Sequence, residues 1–192
     1  MTTLKQQQEA CKEDIDLHRE ACQALVSLIS SQSSLADEHN ALLLETLNTL
    51  ITDSQTPTNL EHSKLRLRLL YKLRKPGEAL NAARVMSQIW SDNIYPLEWI
   101  CKIYLERASG TLEVEDEGDI QETFTRLQKL APSSPLGPLA EGACLLEQAD
   151  RRSEAIAALK KGRKSCSGSP NVHGLVLLAR ALQVKFSSLL DI

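Results

Sequence analysis

LGPLAEGACLLEQADRRSEAIAALKKG, Leu136–Gly162, reads as two helices joined by a tight turn. Ala143 is the small residue of the first helix, flanked by Leu139 and Leu146. The turn Ala149–Arg152 reverses the chain, and Glu154-Ala155 opens the second helix. Small side chains at Ala143 and Ala155 let two helix backbones approach closely, and Gly162 is small again. Leu159 is expected to pack outward, toward the next pair. LEHSKLRLRLLYKLRKPGEALNAARVM, Leu60–Met86, repeats this organisation with Leu67, Leu70, Glu78-Ala79, Ala83 and Met86.

The two segments resemble the tetratricopeptide unit, a pair of antiparallel helices of about 34 residues. The crossing alanines Ala79 and Ala155 lie 76 residues apart, against about 68 for two such units. The excess fits in an acidic loop and a proline-rich connection. Between them, Leu97–Arg107 pairs with Ile120–Leu130 as a third unit closing on Pro132, with Phe124 at the spacing the repeat requires. The expected fold class is therefore all-α: tetratricopeptide-like antiparallel helix pairs stacked in a right-handed solenoid of about nine helices. Residues 1–192 are expected to form a single α-solenoid fragment. It divides into an N-terminal helix pair (1–52), repeats over 60–95, 96–132 and 136–170, and an unpaired or capping helix over 171–192. That last helix has the pattern of a first helix without its partner, so the chain is expected to be a piece of a longer superhelix.

Start and stop signals place the helices. The first is expected over about 6–30, with Ile15, Cys22, Leu25, Val26 and Ile29 at helical spacing. A second runs over about 37–51, with Leu42, Leu43, Leu47 and Leu50 on one face. A third covers 60–75, its stripe being Leu67, Leu70 and Tyr71. Pro76 opens a fourth, because proline is tolerated in the first turn. That helix carries Ala79, Leu80, Ala83, Met86 and Trp90 and ends before Pro96, where a fifth begins with Leu97, Ile100, Ile103 and Tyr104. A sixth covers about 118–130, with Ile120, Phe124, Leu127 and Leu130 inward. Ala131–Pro138 holds three prolines and reads as a connection. The remaining helices are expected over about 139–148, 153–164 and 171–189.

Composition agrees with this reading. Hydrophobic residues make up 42% and charged residues 24%, which is core-forming and unlike a disordered tail. Aromatics are only 4%, and a core of Leu, Ala, Ile and Val favours helix on helix. No strictly alternating β-branched run occurs, so little or no sheet is expected. A formal net charge of −3 gives no global pull toward nucleic acid or an anionic membrane. The five cysteines are widely spaced and form no C-x-x-C pair, a pattern that fits a reducing compartment. MTTLKQQQEACKEDID at the N-terminus has neither an apolar core nor a cleavage pattern, and so does not read as a secretory signal. No apolar run approaches the length of a membrane span; the best, Gly174–Leu182, is broken by Arg180.

A narrower resemblance lies in NIYPLEWICKIYLE, Asn93–Glu106, and above all in YPLEWIC, Tyr95–Cys101. It is similar to the N-terminal repeat array of the large tetratricopeptide subunit of the superkiller (Ski) complex. The similarity extends from LHREACQALVSLIS (Leu17–Ser30) through LLETLNTLIT (Leu43–Thr52). It resumes at Gly137–Gly162 and fades near LARALQVK (Leu178–Lys185). The resemblance implies a non-catalytic scaffold for an RNA helicase and β-propeller subunits, in a complex that feeds RNA to the cytoplasmic exosome for 3′-to-5′ mRNA decay. RNA contact would then be indirect, and the location cytoplasmic, with a nuclear one left open. Proteins of this family are much longer than this chain. A peptide-binding tetratricopeptide adaptor of another pathway is the alternative, and direct RNA binding a third.

Chemistry-bearing residues are few. Lys64, Arg68 and Lys72 fall at i, i+4 and i+8 of the third helix, where the repeat presents side chains to its concave groove. They could hold an acidic peptide or a phosphate, or form a solvated face. A carboxylate clamp would also need asparagines on this helix, and none occurs there. The acidic loop Glu113–Asp119 lacks EF-hand order and reads as a solvated insertion. Cys11, His18 and Cys22 share a helical face but lack a fourth ligand, so an inward stripe explains them without metal. Trp90, Tyr95 and Trp99 surround Pro96, either as an exposed anchor or as a seal between units. No nucleophile elbow, P-loop or dinucleotide fingerprint occurs, so neither catalytic residues nor cofactors are expected.

Overall fold

The computed structural model describes Glu20 and residues 37–53, 59–113, 120–166 and 171–190, without the side chains at 37–39, 49–53, 149 and 184–190. Among the described residues the chain is all-helical, with eight α-helices and no strand. Of the helix expected over 6–30 only Glu20 is described, and Cys11, His18 and Cys22 lie outside the described residues, as do 114–119 of the acidic loop. The chain divides into two compact units, residues 1–75 and 76–192, and that boundary falls inside the helix pair expected over 60–95.

In the first unit α1 (Asp37–Asp53) packs on α2 (Leu60–Lys72). Leu43, Leu47, Leu67 and Leu70 are fully buried, each removing roughly 1.5–3 kcal/mol worth of apolar surface from water. Leu42, expected on the buried face, is exposed instead, and Leu44 is buried in its place. The Asn59 side chain accepts from the Glu61 N–H at 2.9 Å and caps α2. The helix stops at Lys72, three residues short of expectation. Arg74 takes a left-handed φ of 59°. The Arg74 and Lys75 N–H groups then turn back to the carbonyls of Tyr71 and Leu70, at 3.1 and 2.9 Å. This is the two-bond closure usually made by glycine.

The second unit holds α3 (Pro76–Ile89), α4 (Ile94–Ala108), α5 (Ile120–Leu130), α6 (Leu136–Leu146), α7 (Arg152–Ser165) and α8 (Val172–Leu190), with a 3₁₀ turn at Ala149–Arg151 before α7. Each helix packs on the next; in addition α4, α6 and α8 touch one another. Two starts fall earlier than proline positions suggested. Asn93 caps α4 by accepting from the Tyr95 N–H, which leaves Pro96 as the third helical residue. Likewise α6 begins at Leu136, so Pro138 is helical rather than part of the connection. In both cases the missing N–H falls among the first-turn groups that have no intrahelical partner. Gly110, at φ 78°, ends α4 as Arg74 ends α2. The Gly110 and Thr111 N–H groups bond to Arg107 and Glu106 carbonyls.

Ala79, Ala143 and Ala155 are buried, as small crossing residues should be, but the closest approaches are made by glycines. A Cβ added at Gly142 would stand 2.6 Å from Leu159 Cγ and 3.1 Å from the Ala155 carbonyl oxygen. One at Gly162 would stand 2.6 Å from Leu139 Cγ, and one at Gly174 2.7 Å from Leu139 Cδ2. So α6 and α7 run antiparallel, each seating a leucine of the other on a glycine, and Leu139 is held between glycines of α7 and α8. Leu159 therefore does not pack outward; it is fully buried in this crossing. Leu130, expected inward, is exposed at the last residue of α5, while Ile120, Phe124 and Leu127 are buried.

Candidate functional site

The three cations of α2 differ in circumstance. Lys64 is half-buried and pairs with Glu61 at 2.8 Å, one turn back. Arg68 and Lys72 are exposed. All three flank the buried stripe Ser63, Leu67 and Leu70, since each follows a position of that stripe or its neighbour by about 100° of rotation. Arg66, the fourth cation of the helix, turns toward α1, where its Nε donates to Asn48 Oδ1 at 2.6 Å.

The second unit holds two polar sites that sequence reasoning missed. One joins the end of α4 to the start of α8. The buried Ser109 hydroxyl donates to the Glu106 carbonyl at 2.9 Å and lies 2.9 Å from His173 Nδ1. Thr111 Oγ1 also donates to that carbonyl and lies 3.3 Å from Nδ1. His173 Nε2 stands 3.9 Å from the largely buried Glu106 carboxylate. A serine, a histidine and a glutamate thus meet. Ser109 Oγ also lies 3.2 Å from Thr111 Oγ1, and the tautomer of the ring sets which partner donates at Nδ1. These contacts tie the end of α4 to the start of α8.

The other is a cavity of about 300 Å³ between α4, α6, α7 and α8. Ala143, Leu146 and Leu177 give it apolar walls, and Arg152, Arg180 and Glu147 bring charge to it. Arg152 Nε donates to the Ala181 carbonyl at 3.0 Å. Arg180 Nη1 donates to the Ala108 carbonyl at 3.4 Å. Glu147 accepts from the Tyr104 hydroxyl at 3.1 Å and lies 3.8 Å from Arg107. The Arg107 guanidinium sits 5.0 Å from the Tyr104 ring centroid. Burial, and then the Glu147 charge, push the Tyr104 phenol well above its ordinary range, so it stays a neutral donor.

Tyr95 and Trp99 stack obliquely, centroids 6.2 Å apart, with the Lys102 ammonium 4.5 Å from the Trp99 ring centroid. Trp90 lines a separate shallow cavity at the α3–α4 turn. All three rings are half-buried, so they do not stand out as an exposed anchor. Cys101, inside the YPLEWIC stretch, is fully buried, and its thiol is pushed up to about 12 by that burial and by Glu98. It is a packing residue, protonated at neutral pH. Among the described residues no three His, Cys, Asp or Glu side chains group as a metal site, and no helix is long and apolar enough to cross a membrane. Comparison with protein-family models, curated proteins and solved structures finds no match to this chain.

Proposed function

We propose that the chain is a non-catalytic, tetratricopeptide-like scaffold for protein partners, its helix pairs stacked as a right-handed solenoid. The observation that carries this reading is the order of helix contacts in the second unit. The alternate helices α4, α6 and α8 meet one another, and α5 and α7 each lie against the helices before and after them. Stacked helix pairs produce the α4–α6 and α6–α8 contacts and leave a concave surface for partners, whereas the α4–α8 contact joins pairs that a plain stack keeps apart. The resemblance at Tyr95–Cys101 supports a place in the Ski complex, beside an RNA helicase and β-propeller subunits that serve the cytoplasmic exosome. In this reading Lys64, Arg68 and Lys72 offer a basic rank to an acidic partner segment.

The test is a pulldown from cytoplasmic extract with this chain as bait, set against bait carrying K64E, R68E and K72E. Enrichment of the helicase and β-propeller subunits by the unmodified bait is expected, with loss in the charge-reversed one. Absence of these subunits from the unmodified bait would remove the Ski assignment. A second reading, a peptide-binding adaptor of another pathway, is favoured by the arginine-bearing cavity among α4, α6, α7 and α8.

A further inference from the structure

We infer that the open cavity between α4, α6, α7 and α8 receives an acidic side chain, flanked by an apolar residue, from a segment of a protein partner. The inference rests on the reading of the chain as a protein-binding scaffold and names what one of its sites would take. Arg152 and Arg180 come from different helices and line the same space. Among the described residues each uses one N–H on a backbone carbonyl. A guanidinium carries five N–H donors, so each keeps a planar edge for an acceptor. The 3.0 Å bond also positions the half-buried Arg152 beforehand, which lowers the entropic cost of binding, while Arg180 is exposed and its contact is longer.

Three features select the ligand. The space, about 300 Å³, is at the lower end of ligand pockets and suits one or two side chains rather than a cofactor. Ala143, Leu146 and Leu177 supply apolar wall for a neighbouring aliphatic group. Two arginines against Glu147 leave a single net positive charge at the lining. That charge matches a carboxylate monoanion. A phosphate would bring more negative charge against Glu147, which Tyr104 and Arg107 already fix in place. The planar guanidinium edge gives a carboxylate two-point contact as it would a phosphate, so the charge balance makes the choice between them.

The experiment uses the full chain and two peptides, acetyl-Ser-Leu-Glu-Leu-Ser-amide and its counterpart with Gln for Glu, with inorganic phosphate as a third probe. Binding is read from the Nε–H resonances of Arg152 and Arg180 in a nuclear magnetic resonance titration. The Glu peptide is expected to shift both signals, and the Gln peptide to bind about tenfold more weakly, the loss of one charge-assisted hydrogen bond. R152Q and R180Q should each abolish the response, while R163Q, at an exposed arginine on α7 away from the cavity, should leave it intact. Equal binding of the two peptides, phosphate shifting both signals at the peptide's concentration, or no response to any probe would each overturn the inference. Where R180Q lowers the helix signal, the Glu-against-Gln comparison on the unaltered chain decides alone. The titration needs no partner extract, so its failure is distinct from failure of the pulldown that tests the scaffold reading.

Discussion

The α1–α2 pair and the α6–α7 pair are both antiparallel helix contacts, but they close in opposite ways. The first is filled by large side chains: Leu43, Leu47, Leu67 and Leu70 are all buried. The second is drawn tight by missing ones, with Gly142 and Gly162 receiving Leu159 and Leu139. A leucine-filled contact loses stability when a side chain is made smaller, because a cavity is left. A glycine-seated contact loses it when a side chain is made larger, because the partner cannot withdraw without moving the helix. One sequence thus uses two packing solutions within four helices.

The largest expected effect is on the filled side. Leu67→Ala should cost about 3 kcal/mol, read as a lower urea midpoint with an unchanged slope. Gly142→Val comes next, at about 2 kcal/mol, since a branched side chain would overlap both Leu159 and the Ala155 carbonyl. A midpoint unchanged by Gly142→Val would break the comparison at once.

The helix ends sharpen it at a smaller scale. Arg74 and Gly110 make the same left-handed closure, but only glycine does so without steric cost. Arg74→Gly should therefore stabilise by about 1 kcal/mol, and Gly110→Ala should destabilise by about the same amount, in thermal melts of the two variants. Equal and like-signed changes would mean that the closures are not equivalent.

The smallest effect near neutral pH belongs to Cys101. Its thiol titrates near 9.0 when unburied and about 12 in the fold. Between those values the folded chain keeps a proton that the unfolded chain has lost. Stability should therefore be intact below pH 9 and fall as pH rises through this window. Cys101→Ala should flatten that slope, which urea midpoints measured across the alkaline range would show.

Much of the fold was legible because it rests on local signals. Leucine spacing, the helix-pair reversals and the small residues Ala79, Ala143 and Ala155 are all visible in the string, whereas the caps Asn59 and Asn93 were not read from it. What else was missed depends on neighbours distant in sequence. Gly142 reads as an ordinary helix weakener until Leu159 is seen against it, and Gly174 until Leu139 is. Leu42 and Leu130 obey the helical period yet face solvent, because periodicity does not say how wide a neighbour's footprint is. Arg74 has no composition signal for a left-handed turn. The cavity could not be read at all. Arg152 and Arg180 sit 28 residues apart on separate helices, and Ser109 reaches His173 across 64. The rank Lys64, Arg68 and Lys72 was legible as a spacing, while the Lys64–Glu61 pair that modifies it was a matter of rotamer.

Seating of leucine on glycine at the α6–α7 crossing is the claim on which the stacked-pair account depends. A double-mutant cycle on Gly162→Ala and Leu139→Ala, followed by urea unfolding, tests it most directly. With Leu139 present, the added Cβ meets its Cγ at 2.6 Å and should destabilise. With Leu139 cut back, the Leu139 backbone nitrogen still stands 3.1 Å from the added Cβ, so the same alanine should cost clearly less than it does beside the full leucine. Additive effects of the two substitutions would contradict the account.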